Sequence, residues 1–240
     1  MSDPIDPPRP LHLLPTAPLA ERVLLPGDPG RALRLAQLLL EAPKMFNHQR
    51  GLWGYTGEAL LDGRPLTIQS TGMGGPSAAI VAAELVQLGA ATLLRIGTCG
   101  ALRPEIATGD LLIVTEAICE DGTSRGLAAA ERVTPSRELV SALVGAGGGE
   151  ARQVVVVSTD LFYDRPPAAR ERWATLGASA VELETATLLA LAHRRGVRAA
   201  SLLLSTEAMS PDGSRRWLDP ERLEDGERAL GELAVRALSA

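Results

Sequence analysis

Apolar positions along the 240-residue chain fall into two kinds of run. Short continuous β-rich runs at residues 23–25, 93–96, 111–115 and 154–157 read as strands covered on both faces. Between them lie wider apolar stripes at helical spacing. Residues 32–41 put Leu33, Leu35, Ala36, Leu38 and Leu39 on one broad face, and residues 76–88 are apolar on most faces, as in a helix buried against a sheet. A helix over 184–195 leads into a strand over 199–204, and a last helix spans 221–238. Asp62-Gly63 marks a hairpin between residues 55–61 and 65–70. The alternation predicts a three-layer α/β/α fold with a mixed, largely parallel central sheet, in one domain over residues 12–240. Residues 1–11 read as an arm, because four prolines in the first ten residues preclude regular structure. Segments 120–133 and 145–149 read as surface excursions.

Composition narrows the partners. With 45% hydrophobic residues the chain has material for a sizeable core. Its formal charge of −5 argues against nucleic acid or an anionic membrane as the main partner. Cys99 and Cys119 are too few for a disulfide framework and lack metal-ligand spacing, so reduced buried thiols in a cytoplasmic protein are expected, with no metal. The Pro-rich, acidic N-terminal segment has no apolar core of the kind a signal peptide needs, and no apolar stretch reaches membrane-spanning length.

Candidate chemistry lies in three glycine-bearing loops that follow predicted strands, where open α/β sheets collect their ligands. In Pro26-Gly27-Asp28-Pro29-Gly30-Arg31, Gly27 lets backbone N–H approach a ligand and Arg31 sits where the next helix begins. Ser70 to Ser77 form a glycine-rich strand-to-helix turn. Arg95-Ile96-Gly97-Thr98-Cys99-Gly100 pairs an arginine with a hydroxyl, a combination suited to a phosphate oxygen. Any one of them alone is an ordinary turn; together on one sheet they point to an anion site.

The segments PGDPGR, QRGLWGYTG, TGMGGPS, RIGTCGA, STDLFY and VELETATL occur in that order. They resemble the signature segments of the bacterial purine-nucleoside and uridine phosphorylase family, over nearly the whole chain from His12 onward. The resemblance implies cleavage of nucleosides by inorganic phosphate, which acts as co-substrate with no other cofactor. It also implies a homohexamer, a trimer of dimers, whose sites borrow residues from a neighbour. Gly27, Arg31, Arg95 and Thr98 match the phosphate site, and Arg50 matches the arginine lent by the adjacent subunit. His12 matches the histidine that reaches the ribose 5′-hydroxyl from that neighbour.

Glu182, Leu183 and Glu184 match the ribose-binding segment, with Met73 on the other side of the sugar. Leu183 replaces the methionine usual in the family and keeps its apolar packing. A carboxylate such as Glu184 can accept both the 2′- and 3′-hydroxyls, with Glu182 nearer the 2′-hydroxyl. For the base, the resemblance implies Cys99, Gly100, Val181, Phe162 and Tyr163, with Phe162 stacking on the ring. Glu207 stands where purine-specific relatives carry an aspartic acid that protonates N7, and Arg222 matches the assisting arginine if two residues are inserted. Arg215 and Arg216 are the alternatives. The glutamine–arginine pair by which uridine-specific relatives read uracil is absent after Tyr163, which favours purines; uridine is the alternative substrate. A hydrolytic nucleosidase would not need the arginines, and a non-catalytic binding protein would not need Glu207 or Arg50.

Overall fold

In the computed structural model, which describes residues 9–128, 130–209 and 214–240, the chain forms eleven strands and seven helices among the described residues. Residues 1–8 of the expected arm lie outside them. The strands are β1 (Arg22–Leu25), β2 (Leu40–Asn47), β3 (Gly54–Ala59), β4 (Pro65–Gln69), β5 (Thr92–Ala101), β6 (Leu111–Glu120), β7 (Arg132–Val133), β8 (Ala151–Thr159), β9 (Ala180–Glu182), β10 (Arg198–Met209) and β11 (Arg215–Trp217). The helices are α1 (Pro29–Leu39), α2 (Gly75–Gln87), α3 (Gly122–Ala128), α4 (Arg137–Gly147), α5 (Ala169–Thr175), α6 (Thr185–Arg195) and α7 (Pro220–Ser239).

The sheet is mixed. Strands β4, β1, β5 and β10 run parallel in that order, and β6, β8 and β9 form a second parallel group. Antiparallel pairings of β6 with β10 and of β9 with β5 join the two groups into a closed ring. The hairpin of β3 and β4 extends the sheet, with β2 at its edge. Because side chains alternate across a strand, each covered run feeds two cores at once. Val23, Leu93 and Leu203 pack towards α2 and α6, while Leu24, Leu94 and Leu202 pack towards α1, α4 and α7. A smaller cluster seats Trp173 of α5 on Ile118, Val157 and Val181.

One expected surface excursion is corrected. Segment 120–133 contains α3 and β7, and its Asp121 and Ser124 are fully buried. Asp121 accepts Ser124 N at 2.7 Å and Thr187 Oγ1 at 2.8 Å, so a polar cap replaces the missing apolar period. Segment 145–149 is the end of α4, where Gly148 takes up the left-handed conformation (φ 53°) of a helix cap. Helix α1 also stops at Leu39, short of the expected 41, because Leu40 turns extended to pair with Ala59 and Pro43 follows.

Candidate active site

The C-terminal ends of β1, β4, β5 and β10 open on the same side of the sheet, and β9 meets the end of β5 there. Their loops surround a cleft of about 380 Å³, within the range of small-molecule sites. Gly27, Arg31, Met73, Arg95, Thr98, Cys99, Gly100, Phe162, Val181, Glu182, Leu183, Glu184 and Glu207 all line it. Tyr163 stands beside the cleft, edge-on to Phe162 with ring centroids 4.8 Å apart.

Arg31 is set by the cap of α1. Asp28 accepts Gly30 N and Arg31 N, which fixes the first turn and points Arg31 inward. Its Nε donates to Glu227 Oε1 of α7 at 2.7 Å, and Arg34 holds the other oxygen of Glu227 at 2.6 Å. Arg95 is buried across the cleft, with Nε 3.0 Å from Glu182 and Nη2 2.5 Å from Glu184. Its guanidinium folds back over Gly97, where a Cβ would lie 2.7 Å from Arg95 Cζ. A side chain at position 97 would therefore displace the guanidinium. Burial opposes the Arg95 charge, yet Glu184 and Glu182 outweigh it and raise its pKa.

The two glutamates differ in what they hold. Glu182 receives Ser158 Oγ on one oxygen, and Arg95 Nε, Glu184 N, Thr185 N and Thr185 Oγ1 on the other. It caps the start of α6 and anchors Arg95, which gives it an internal structural role beside the sugar contact implied by the resemblance. Glu184 accepts the N–H of Gly74, from the glycine-rich loop, at 2.6 Å. Burial pushes its pKa up against the pull of Arg95, and the neighbouring Glu182 charge adds to the rise. Cys99 lies buried between these groups; burial, reinforced by Glu182, keeps its thiol well above the ordinary cysteine range and so protonated.

At the far end Glu207 forms ion pairs with Arg170 Nη2 at 2.8 Å and Arg215 Nε at 3.0 Å. Of the three arginines offered as assistants, Arg215 alone is paired with Glu207 among the described residues. Arg222 is exposed at the start of α7, where its Nη2 reaches Thr108 O at 3.4 Å, outside the cleft lining. The antiparallel return of β11 along β10 brings Arg215 back to Glu207, which a linear count cannot foresee. Arg216, the third candidate, is exposed and lies outside the lining. Sequence reading missed Arg170, Arg165, Thr206 and Trp217; their only signal was proximity to STDLFY and to Glu207.

Two residues matched to a neighbour's site sit outside this chain's own cleft. Arg50 is exposed in a 3-10 turn and holds a left-handed backbone (φ 59°). His12 is half-buried, with Nδ1 2.7 Å from Glu84 of α2. Glu84 also accepts the N–H groups of Leu11, His12 and Leu13. Burial raises its pKa, but these hydrogen bonds prevail and hold the carboxyl below its usual range.

The profile of the phosphorylase superfamily matches residues 21–239, nearly the whole chain. The chain belongs to the phosphorylase superfamily. Within the superfamily, a DeoD-type purine nucleoside phosphorylase of Geobacillus kaustophilus is 39% identical over 194 residues, 78% of this chain and 81% of the relative. A guanosine phosphorylase of Halorubrum lacusprofundi is 35% identical over 230 residues, 92% and 93% of the two chains. A DeoD-type purine nucleoside phosphorylase of Caldanaerobacter subterraneus is 38% identical over 199 residues, 80% and 84%. Membership accounts for the mixed sheet and for the loops that converge on one cleft.

Proposed function

We propose that the chain is a pentosyltransferase that cleaves purine nucleosides with inorganic phosphate, giving free base and ribose 1-phosphate for nucleoside salvage. The observation that carries this reading is a single cleft with two chemically distinct ends. Arg31 and Arg95 line one end, Glu184 lies between, and Glu207 with aromatic walls closes the other. Phosphate fits the arginines, ribose hydroxyls fit the carboxylate, and a flat base fits beyond. The purine-directed names of the relatives support the choice of base over uridine.

In this reading phosphate, held by Gly27 N–H, Arg31, Arg95 and Thr98, faces the anomeric carbon. As the bond from C1′ to the base nitrogen stretches, positive charge grows on the sugar and is stabilised by the phosphate dianion beside it. A phosphate oxygen then forms the new bond to C1′, the bond's electron pair leaves with the base, and the proton lost by phosphate balances the one gained by the base. Positioning and preorganised charge supply most of the acceleration. Arg50 and His12 serve the neighbouring subunit's site within a homohexamer, phosphate is the only co-substrate, and the enzyme works in the cytoplasm.

The decisive measurement offers inosine, adenosine and uridine with and without phosphate, and quantifies base and ribose 1-phosphate. Phosphate-dependent release from purine nucleosides is expected; release indifferent to phosphate, or uridine far ahead of both purines, overturns the reading. Arg95→Ala is expected to abolish phosphate saturation in the accessible range, and near-normal saturation would count against this phosphate site.

A further inference from the structure

Asp121 lies fully buried under the first turn of α3. Its Oδ1 accepts Ser124 N at 2.7 Å and Thr187 Oγ1 at 2.8 Å, and its Oδ2 accepts Ser124 Oγ. Among the described residues these hydrogen-bond partners are all neutral. Arg125, the nearest cation along the chain, turns away to Glu120 and to the carbonyl of Cys119. A buried charge without a counter-ion is expensive. Capping a seven-residue helix does not require that expense, since a serine or an asparagine caps without charge. The carboxylate therefore calls for a second role.

Its other neighbour is the glycine-rich loop of the cleft. Gly75 opens α2, and a Cβ built there would come within 2.8 Å of Asp121 Oδ1 and 2.7 Å of Thr187 Oγ1. The backbone at Gly75 thus rests on that pair, with no room for a side chain between them. The contact sets the carboxylate at the positive end of α2, where negative charge is favoured. The loop above it has little other support. Gly72 and Gly74 both take positive φ (71° and 83°), and Gly74 starts α2 without a side-chain cap. The start of α6, by contrast, is fixed without Asp121: Glu182 accepts Glu184 N and Thr185 N, and Ser158 Oγ accepts Ala186 N. What rests on Asp121 is the loop.

We propose that Asp121 is a positioning residue for the sugar, seating Gly75 so that the Gly74 N–H and Met73 stand against Glu184 where the ribose binds. This rests on the phosphorolysis reading and adds to it a residue that touches no substrate, since Asp121 lies outside the cleft lining. The Gly74 N–H takes Oε1 of Glu184 at 2.6 Å, and Arg95 Nη2 takes Oε2 at 2.5 Å. Held at both oxygens, the carboxylate has a fixed plane and offers its remaining lone pairs in set directions to the two ribose hydroxyls. Without its seat the loop lifts, the Gly74 bond is lost, and Glu184 turns about its one remaining anchor. Misorientation of that kind is costly to a bound substrate.

The test compares Asp121→Ala, Asp121→Asn and Thr187→Val with the wild type. In Asp121→Ala the KM for inosine is expected to rise about tenfold while that for phosphate changes less than about threefold, because Arg31 and Arg95 keep their anchors on Glu227 and Glu182. Asp121→Asn keeps an oxygen for Ser124 N and Thr187, and its amide can donate to Ser124 Oγ, so it should recover most of the loss. Thr187→Val removes the other polar atom under Gly75 and should raise the inosine KM about threefold; it carries the comparison if Asp121→Ala does not fold. Hydrogen exchange reads the seat without turnover: the Gly74 amide is expected to exchange about tenfold faster in the folded variant, with the β5 amides unchanged. Equal rises in both KM values, an inosine KM within about twofold of wild type, or unchanged Gly74 exchange overturns the proposal and leaves phosphorolysis standing. If the wild type cleaves no nucleoside, phosphorolysis falls instead, and Gly74 exchange alone decides whether Asp121 seats the loop.

Discussion

Arg31, a phosphate ligand in the proposed reading, depends on a residue that would never face the ligand. Its guanidinium is positioned by Glu227, a buried carboxylate on α7 that also anchors Arg34. Removing Glu227 leaves a buried arginine without its counter-charge and free to swing, and a small misplacement of a charged group is expensive in catalysis. Glu227→Ala is expected to raise the KM for phosphate about tenfold while the nucleoside KM changes less than about threefold. Initial rates over a phosphate series at fixed nucleoside check this, with thermal melting to register any general loss of fold. Equal rises in both KM values would show that Glu227 acts on stability alone. Sequence exposed Arg31, Arg95 and Glu184 because each sits within a few residues of a glycine loop or strand end. Glu227 was invisible, since its role arises only when α7 packs against those loops.

Among the elements, those with a strong period were legible: β1, the β3–β4 hairpin, α2, β5, β6, β8, α6, β10 and α7. Those missed carry mixed signals. The β2 strand contains Pro43 and charged residues, which an edge strand tolerates, and α3 is capped by polar groups without an apolar stripe. Closure of the ring through β9 rests on three residues, too few to show alternation. The hairpin is tied to the rest by Asp62. Arg22 of β1 donates two 2.7 Å bonds to its oxygens, and Ser239 at the end of α7 adds a third. Arg22 is the main influence holding the Asp62 carboxyl well below the usual carboxylate range; burial opposes it, and Ser239 and the N–H of Arg64 add to it. Because the folded value is depressed, this contribution to stability is complete above the unfolded value of about 3.9 and drains away as pH falls below it. Asp62→Asn is expected to cost about 1–3 kcal/mol at pH 7. Urea unfolding at neutral and acidic pH should show the gap between variant and wild type closing below about pH 4. A gap independent of pH would mean that the ionised carboxylate is not the tie.

For the whole molecule, the question is where the site ends. Nearly all residues matched to phosphate, ribose and base line one chain's cleft, but Arg50 and His12 do not. Local structure sets the backbone of one and the side chain of the other. Arg50 sits in a left-handed turn between β2 and β3, and Glu84 clasps His12 together with the backbone on either side of it. In the proposed hexamer these residues, away from their own cleft, would serve a second copy, and two-fold pairing would make such lending reciprocal. Two inactive proteins test this. In Arg95→Ala the chain's own cleft is damaged while its Arg50 is intact; in Arg50→Ala the reverse holds. When the two are unfolded together and reassembled, a pair with one chain of each kind has one site carrying both lesions and one carrying neither. Random pairing should therefore restore about a quarter of wild-type activity, whereas each variant reassembled alone stays inactive. Recovery absent from a mixture shown by native mass spectrometry to contain both chains would place Arg50 in its own subunit's chemistry, or in none.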